Sequence, residues 1–209
     1  MRVNSLLDEH KNESYLTINK AGTIPTLIVG QDKIISGGNT FPLYLAGSFK
    51  NVSERLVPSD NRQTIETVLN WFYHKMMPET QRLVRLVVPP KVSGNKIQAS
   101  LSASEMNSKK EEQINNIFAQ NGSLLDVLEK RLISTTFIAS NDLSIADIII
   151  YCELSTIMAL LSKQYTDDIA RRFTKVSEWH DRMSELPHLK KYDEILKRIV
   201  AEYALQEKN

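Results

Sequence analysis

Only one cysteine, Cys152, occurs in the 209 residues, and its isolation excludes more than it offers. A lone thiol closes no internal disulfide, so the fold must rest on its packed core. It also supplies no thiolate cluster, and His10, His74, His180 and His188 lie far apart without ligand spacing. No metal site is expected. Glycine and proline are scarce at 7 each, which excludes collagen-like and low-complexity architectures. Neither sign of charge prevails: 26 Lys and Arg face 25 Asp and Glu, for a formal net charge of +1. Without a bulk field, charge alone recruits neither nucleic acid nor anionic lipid, and no nucleic-acid partner is expected. The N-terminus lacks an apolar secretory core, and Asp8 and Glu9 come too early for a transit peptide. With the lone cysteine this implies an intracellular setting, cytoplasmic rather than extracellular, with an organelle-located assembly left open.

What is present is ordinary globular composition, 42% hydrophobic and 24% charged. The most apolar stretch is Asp142–Ser162, DLSIADIIIYCELSTIMALLS. Ser144-Ile145-Ala146-Asp147 has the spacing of a capping box, a Ser followed three residues later by an acid that reaches back to the cap N–H. The residues beyond it are apolar on nearly every face, which marks a helix buried all round. Asp147 and Glu153 speak against a membrane span. Cys152 lies inside this helix and reads as a small hydrophobe, the redox reading being the alternative.

Before that helix the chain changes character. Met1–Leu7 has the makings of a short strand, and Lys11–Ile18 of one or two helical turns ending near Asn19-Lys20-Ala21-Gly22. Thr26–Val29 and Lys33–Ser36, separated by Gly30-Gln31-Asp32, predict a β-hairpin. Gly37-Gly38 breaks the chain, and Asn39 caps a helix through Leu45 that tolerates Pro42 in its first turn. Val57–Asp60 reads as a linker ending in a helix cap. Beyond it the periodicity is helical: Ile65 to Phe72, kinked or ended at Pro78, then Glu79–Val88 up to Pro89-Pro90. Lys91–Asn107 is polar and Ser-rich and reads as an exposed loop, a place for partner docking or phosphorylation as the sharper reading. Ile114 to Leu132 predicts one long helix that Gly122 weakens by about 1 kcal/mol. Phe173 to Leu186, stopped by Pro187, and Leu189 to Tyr203 give two more helices. The fold class is α+β, a small module over residues 1–50 followed by an all-helical domain over 51–209.

Two segments carry a resemblance. Tyr15–Leu27, YLTINKAGTIPTL, holds Asn19, Gly22 and the pair Ile24-Pro25, and Leu125–Asp147 runs from a Leu-rich helix to the box Ser144-Ile145-Ala146-Asp147. In this order they resemble the glutathione S-transferase superfamily, theta-like members in particular. The resemblance implies a thioredoxin-like N-terminal module, here truncated before its second strand, and the family's all-α C-terminal domain. It also implies a cis-proline at Pro25 and a glutathione-site remnant at Ile24, Pro25, Gly37 and Gly38.

The departures from the family pattern decide the functional expectation. The strand and helix that bear the family's thiol-activating Tyr, Ser or Cys have no counterpart, so no catalytic residue is expected. Gly37 and Gly38 stand where the family carries an acid and a Ser that hold the glutathione amine and carboxylate, and Thr23 stands where a Lys is frequent. A desolvated charge left unpaired costs several kcal/mol. Glutathione is therefore not expected as a cofactor. The resemblance then implies a degenerate, non-catalytic protein acting as a structural or protein-interaction subunit of a larger assembly. Another polypeptide could complete the sheet at Arg2–Leu7, and a homodimer stays open. The alternative is an active glutathione transferase conjugating glutathione to electrophiles. Trp71, Phe72 and Tyr73 are expected in core or interface packing, an electrophile pocket being the sharper reading.

Overall fold

The computed structural model describes residues 9–31, 33–37, 40–88, 100–119 and 121–206, and the backbone divides into two units, Met1–Ser59 and Asp60–Asn209. The segment Met1–Leu7, Gly38 and the expected cap Asn39 lie outside the described residues, so neither the N-terminal strand nor its completion at Arg2–Leu7 is described.

The described part of the first unit starts with a 3₁₀ turn, Glu9–Lys11, and one helical turn, α1 (Glu13–Leu16). A loop through Gly22 leads to β1 (Thr26–Val29), which pairs antiparallel with β2 (Lys33–Ser36). The register sets Leu27 opposite Ile35 and Ile28 opposite Ile34, so the expected hairpin is present, with Gly30 at φ +65° in its loop. A left-handed turn residue of this kind suits glycine, which has no Cβ to clash. Two helices follow, α2 (Thr40–Ser48) and α3 (Lys50–Leu56). Few apolar side chains of this unit are buried, chiefly Tyr15, Ala46 and Val57, whereas Ile24, Ile28, Ile34, Leu45 and Phe49 are exposed. A module this small has little core to offer.

The second unit is helical throughout its described residues: α4 (Arg62–Trp71), α5 (Met77–Val87), α6 (Ala103–Phe118), α7 (Leu124–Leu132), α8 (Ile145–Leu160), α9 (Lys163–Arg172), α10 (Thr174–Ser184) and α11 (Pro187–Gln206). A π-helical turn, Phe72–Met76, joins α4 to α5 just ahead of Pro78. Pro78 has no N–H for the carbonyl four residues back, and the wider turn accommodates that loss. Helix α8 is the hub, packing on α4, α5, α10 and α11. None of its sixteen residues is exposed, as the all-round apolar sequence implied.

Three local expectations are corrected. The long helix predicted from Ile114 to Leu132 is two helices, because Asn121 (φ +66°) and Gly122 (φ +95°) turn the chain between them. The polar stretch up to Asn107 is not all loop, since α6 begins at Ala103. Its cap Ser102 receives the Glu105 N–H at 3.3 Å, while its own N–H donates to Glu105 Oε2 at 2.9 Å. The cap ahead of α4 is Asn61 rather than Asp60, and its side chain makes no capping bond. Pro187 not only stops α10 but opens α11, where its missing N–H is no loss. Among the described residues no helix is long and apolar enough to cross a membrane.

Candidate functional site

The expected glutathione-site remnant lies on the loop ahead of β1. The Ile24–Pro25 peptide bond is cis, and Ile24 is 42% exposed. A polar knot, buried at Tyr15 and Asn19, holds this loop. The Asn19 amide donates to Thr23 O at 2.9 Å, Thr23 Oγ1 at 3.1 Å and Thr26 Oγ1 at 2.9 Å, and its carbonyl accepts the Ala21 N–H at 3.1 Å. The Tyr15 hydroxyl donates to Thr23 O and lies 2.7 Å from Thr26 Oγ1. Gly22, at φ +58°, passes so close to the His10 carbonyl that a Cβ would lie 3.1 Å from that oxygen. These bonds explain the pattern of Tyr15, Asn19, Gly22 and Thr23: one polar cluster presents the Ile24–Pro25 backbone. The Tyr15 hydroxyl is engaged inside it.

Gly37 follows β2 with φ +102°, a conformation natural to glycine. It contributes backbone only, and its neighbour Gly38 is outside the described residues. Ile24, Pro25 and Gly37 therefore bring main-chain groups and apolar surface to the first unit, without a charged side chain among them.

In the second unit the predicted capping box is the centre of a larger array. Asp147 is fully buried and accepts four hydrogen bonds: from Ser144 N (3.0 Å), Ser144 Oγ (2.7 Å), Ile138 N (2.7 Å) and the Trp179 indole N–H (3.0 Å). Burial pushes its carboxyl above the usual carboxylate range, and the four donors act against that shift. The S-x-x-D spacing identifies Ser144 as a donor; Ile138 and Trp179 arrive through tertiary structure. Glu129 on α7 works similarly, accepting the Lys175 and Val176 N–H groups at 3.0 and 2.9 Å and capping α10, whose own N-cap is the apolar Phe173.

A polar seam runs where α8 meets α10 and α11. The Tyr151 hydroxyl donates to Asp193 Oδ2 at 2.6 Å, and the Tyr151 ring lies 4.7 Å, centroid to centroid, from the His180 ring. His180 Nε2 is 2.9 Å from Ser155 Oγ, and the Tyr192 hydroxyl donates to Cys152 O at 2.9 Å. Burial holds His180 below and Tyr151 above their ordinary values. Burial, then Asp193 and Glu153, push the Cys152 thiol up to about 11, so it is protonated at neutral pH and a poor nucleophile. Glu153 is raised by burial, against the hydrogen bond that it accepts from Thr80. The seam is a set of polar contacts between helices, and Ser155, the hydroxyl of its one Ser–His pair, is buried among them. Among the described residues no cluster of His, Cys, Asp and Glu could hold a metal. Phe72 is buried edge-on against Tyr73, as packing residues are, whereas Trp71 lines a pocket.

Residues 95–194 match the family model described as the glutathione S-transferase C-terminal domain. The chain is 23% identical over 185 residues to "Glutathione S-transferase T3" of Arabidopsis thaliana, an alignment covering 87% of this chain and 30% of that protein. It thus spans less than a third of that relative's length. It is also 23% identical over 186 residues to "Glutathione S-transferase T1" of the same plant, covering 87% of this chain and 71% of the relative. Among solved structures, glutathione S-transferase isozyme E7 of Drosophila melanogaster superposes with a TM-score of 0.72 at 20% identity, covering 98% of this chain and 82% of that one. That likeness shows the fold: a thioredoxin-like module with a small sheet, and an all-α domain.

Proposed function

From the premise that this chain belongs to the glutathione S-transferase superfamily, we propose that it is a non-catalytic member acting as a protein-interaction subunit of a larger assembly. The observation that carries the reading is Gly37: where the family pattern places an acid, this chain offers a glycine at φ +102° and no charge. Glutathione brings an amine and two carboxylates out of water, and each needs a partner or costs several kcal/mol. Tyr15 and Cys152, the hydroxyl and thiol nearest in kind to a thiol-activating group, are engaged or protonated. Supporting an interaction role, the first unit exposes Ile24, Ile28, Ile34, Leu45 and Phe49. Ile28 and Ile34 are cross-strand neighbours, and adjoining exposed apolar side chains are a usual mark of protein contact.

The test is passage over immobilised glutathione, followed by native co-purification. The account expects no retention and a stoichiometric protein partner. Specific retention, released by free glutathione, contradicts it. The second reading, transfer of glutathione to electrophiles, is favoured by the likeness to proteins named glutathione S-transferases and by the intact Ile24–cis-Pro25 loop.

A further inference from the structure

A cavity of about 190 Å³ opens in the second unit between α4, α7 and the segment after α7. Its walls are apolar: Val68, Leu128 and Ile138 are buried, and the Trp71 ring forms another side. Val127, 39% exposed, stands at its mouth. One cation lines it, Arg131, which is half-buried.

Arg131 is held and yet unspent. Its Nε donates to the Ile138 carbonyl at 2.9 Å, which fixes the guanidinium plane against the cavity wall. A guanidinium has five N–H donors, and among the described residues neither terminal nitrogen of Arg131 donates to a protein acceptor. The neighbouring carboxylates are committed elsewhere: Asp126 to Lys130 and the Gly122 N–H, Glu129 to the start of α10, Asp147 to its four donors. A fixed guanidinium with free terminal nitrogens matches a carboxylate, whose two oxygens accept the fork. The apolar walls select the rest of the ligand. An apolar cavity of about 150 Å³ already admits benzene, and this one is larger. A bare phosphate would leave those walls uncovered and meet a single cation.

We propose that this pocket binds a small organic carboxylate carrying an apolar body of about benzene size, its carboxylate on Arg131 and its body against Trp71, Leu128 and Ile138. The site lies wholly in the second unit and requires no glutathione.

Trp71 makes the test direct, because the second tryptophan, Trp179, is fully buried and hydrogen-bonded to Asp147. Titrating the full chain with benzoate should change tryptophan emission saturably. Benzamide, equal in shape but uncharged, should bind at least about tenfold more weakly, the scale of a charge-assisted hydrogen bond. Arg131→Gln should erase the preference for the acid. Val127→Phe, which narrows the mouth and leaves the Arg131–Ile138 bond in place, should weaken both ligands. Absence of any saturable response to benzoate overturns the proposal. So does equal affinity for benzoate and benzamide, or unchanged benzoate binding in a folded Val127→Phe protein.

Discussion

Asp147 receives four hydrogen bonds from the cap, the segment before it and α10, and a single substitution therefore reaches three parts of the helical unit. Removing a simple cap costs about 1 kcal/mol. Asp147→Ala also strands the buried Ile138 N–H and the Trp179 indole N–H, and a cost of about 3–5 kcal/mol follows. Ser144→Ala removes one hydroxyl and should cost about 1 kcal/mol. Urea unfolding at unchanged slope checks both, and equal effects of the two substitutions would contradict the hub. His180 supplies a pH dependence of definite sign. Burial holds its folded pKa below the ordinary 6.5, so on acidification the unfolded chain takes up the proton first. Stability linked to His180 is full above about pH 6.5 and falls as pH drops toward the folded value. His180→Gln should flatten the stability–pH curve in that window; an unchanged curve would show that the ring is not held neutral.

The start of α10 depends on a residue from another helix. Phe173 cannot cap, and the Glu129 carboxylate satisfies the Lys175 and Val176 N–H groups instead. Glu129→Ala should cost about 1–2 kcal/mol, the value of a good cap with its charge at a helix N-terminus. A thermal midpoint equal to that of the parent would contradict this. The contrast with α8 shows what a sequence makes legible. Ser144 and Asp147 are three residues apart, so their box is visible in the string, as are the hairpin of β1 and β2 and the apolar α8. Ser102-x-x-Glu105 carries the same spacing, yet sits in polar surroundings where no apolar run announces a helix, and Ser123-x-x-Asp126 falls inside what reads as one long helix from Ile114 to Leu132. Gly122 at φ +95° ends a segment in which a weakened helix was expected, because the direction of φ is not written in composition. Glu129, Trp179 and Arg131 were illegible for a different reason: their partners lie at Lys175 and Val176, Asp147, and Ile138, brought near only by the packing of helices.

On the scale of the molecule the two units differ in kind. The helical unit carries the buried hub, the seam and the Arg131 cavity, and the first unit carries the cis-Pro25 loop with its Asn19 knot and Gly37. The loop that displays the Ile24 backbone was readable from Tyr15–Leu27, because local hydrogen bonding ties neighbours in sequence. Whether that backbone still grips a ligand rests on charge, and at Gly37 there is none. The proposed role implies that this chain does not transfer glutathione. Its most direct measurement is the initial rate of conjugation of an aryl halide at saturating glutathione, taken against the uncatalysed rate in the same buffer. The account predicts that the two rates coincide at every protein concentration. A rate that rises in proportion to protein and saturates with glutathione would contradict it.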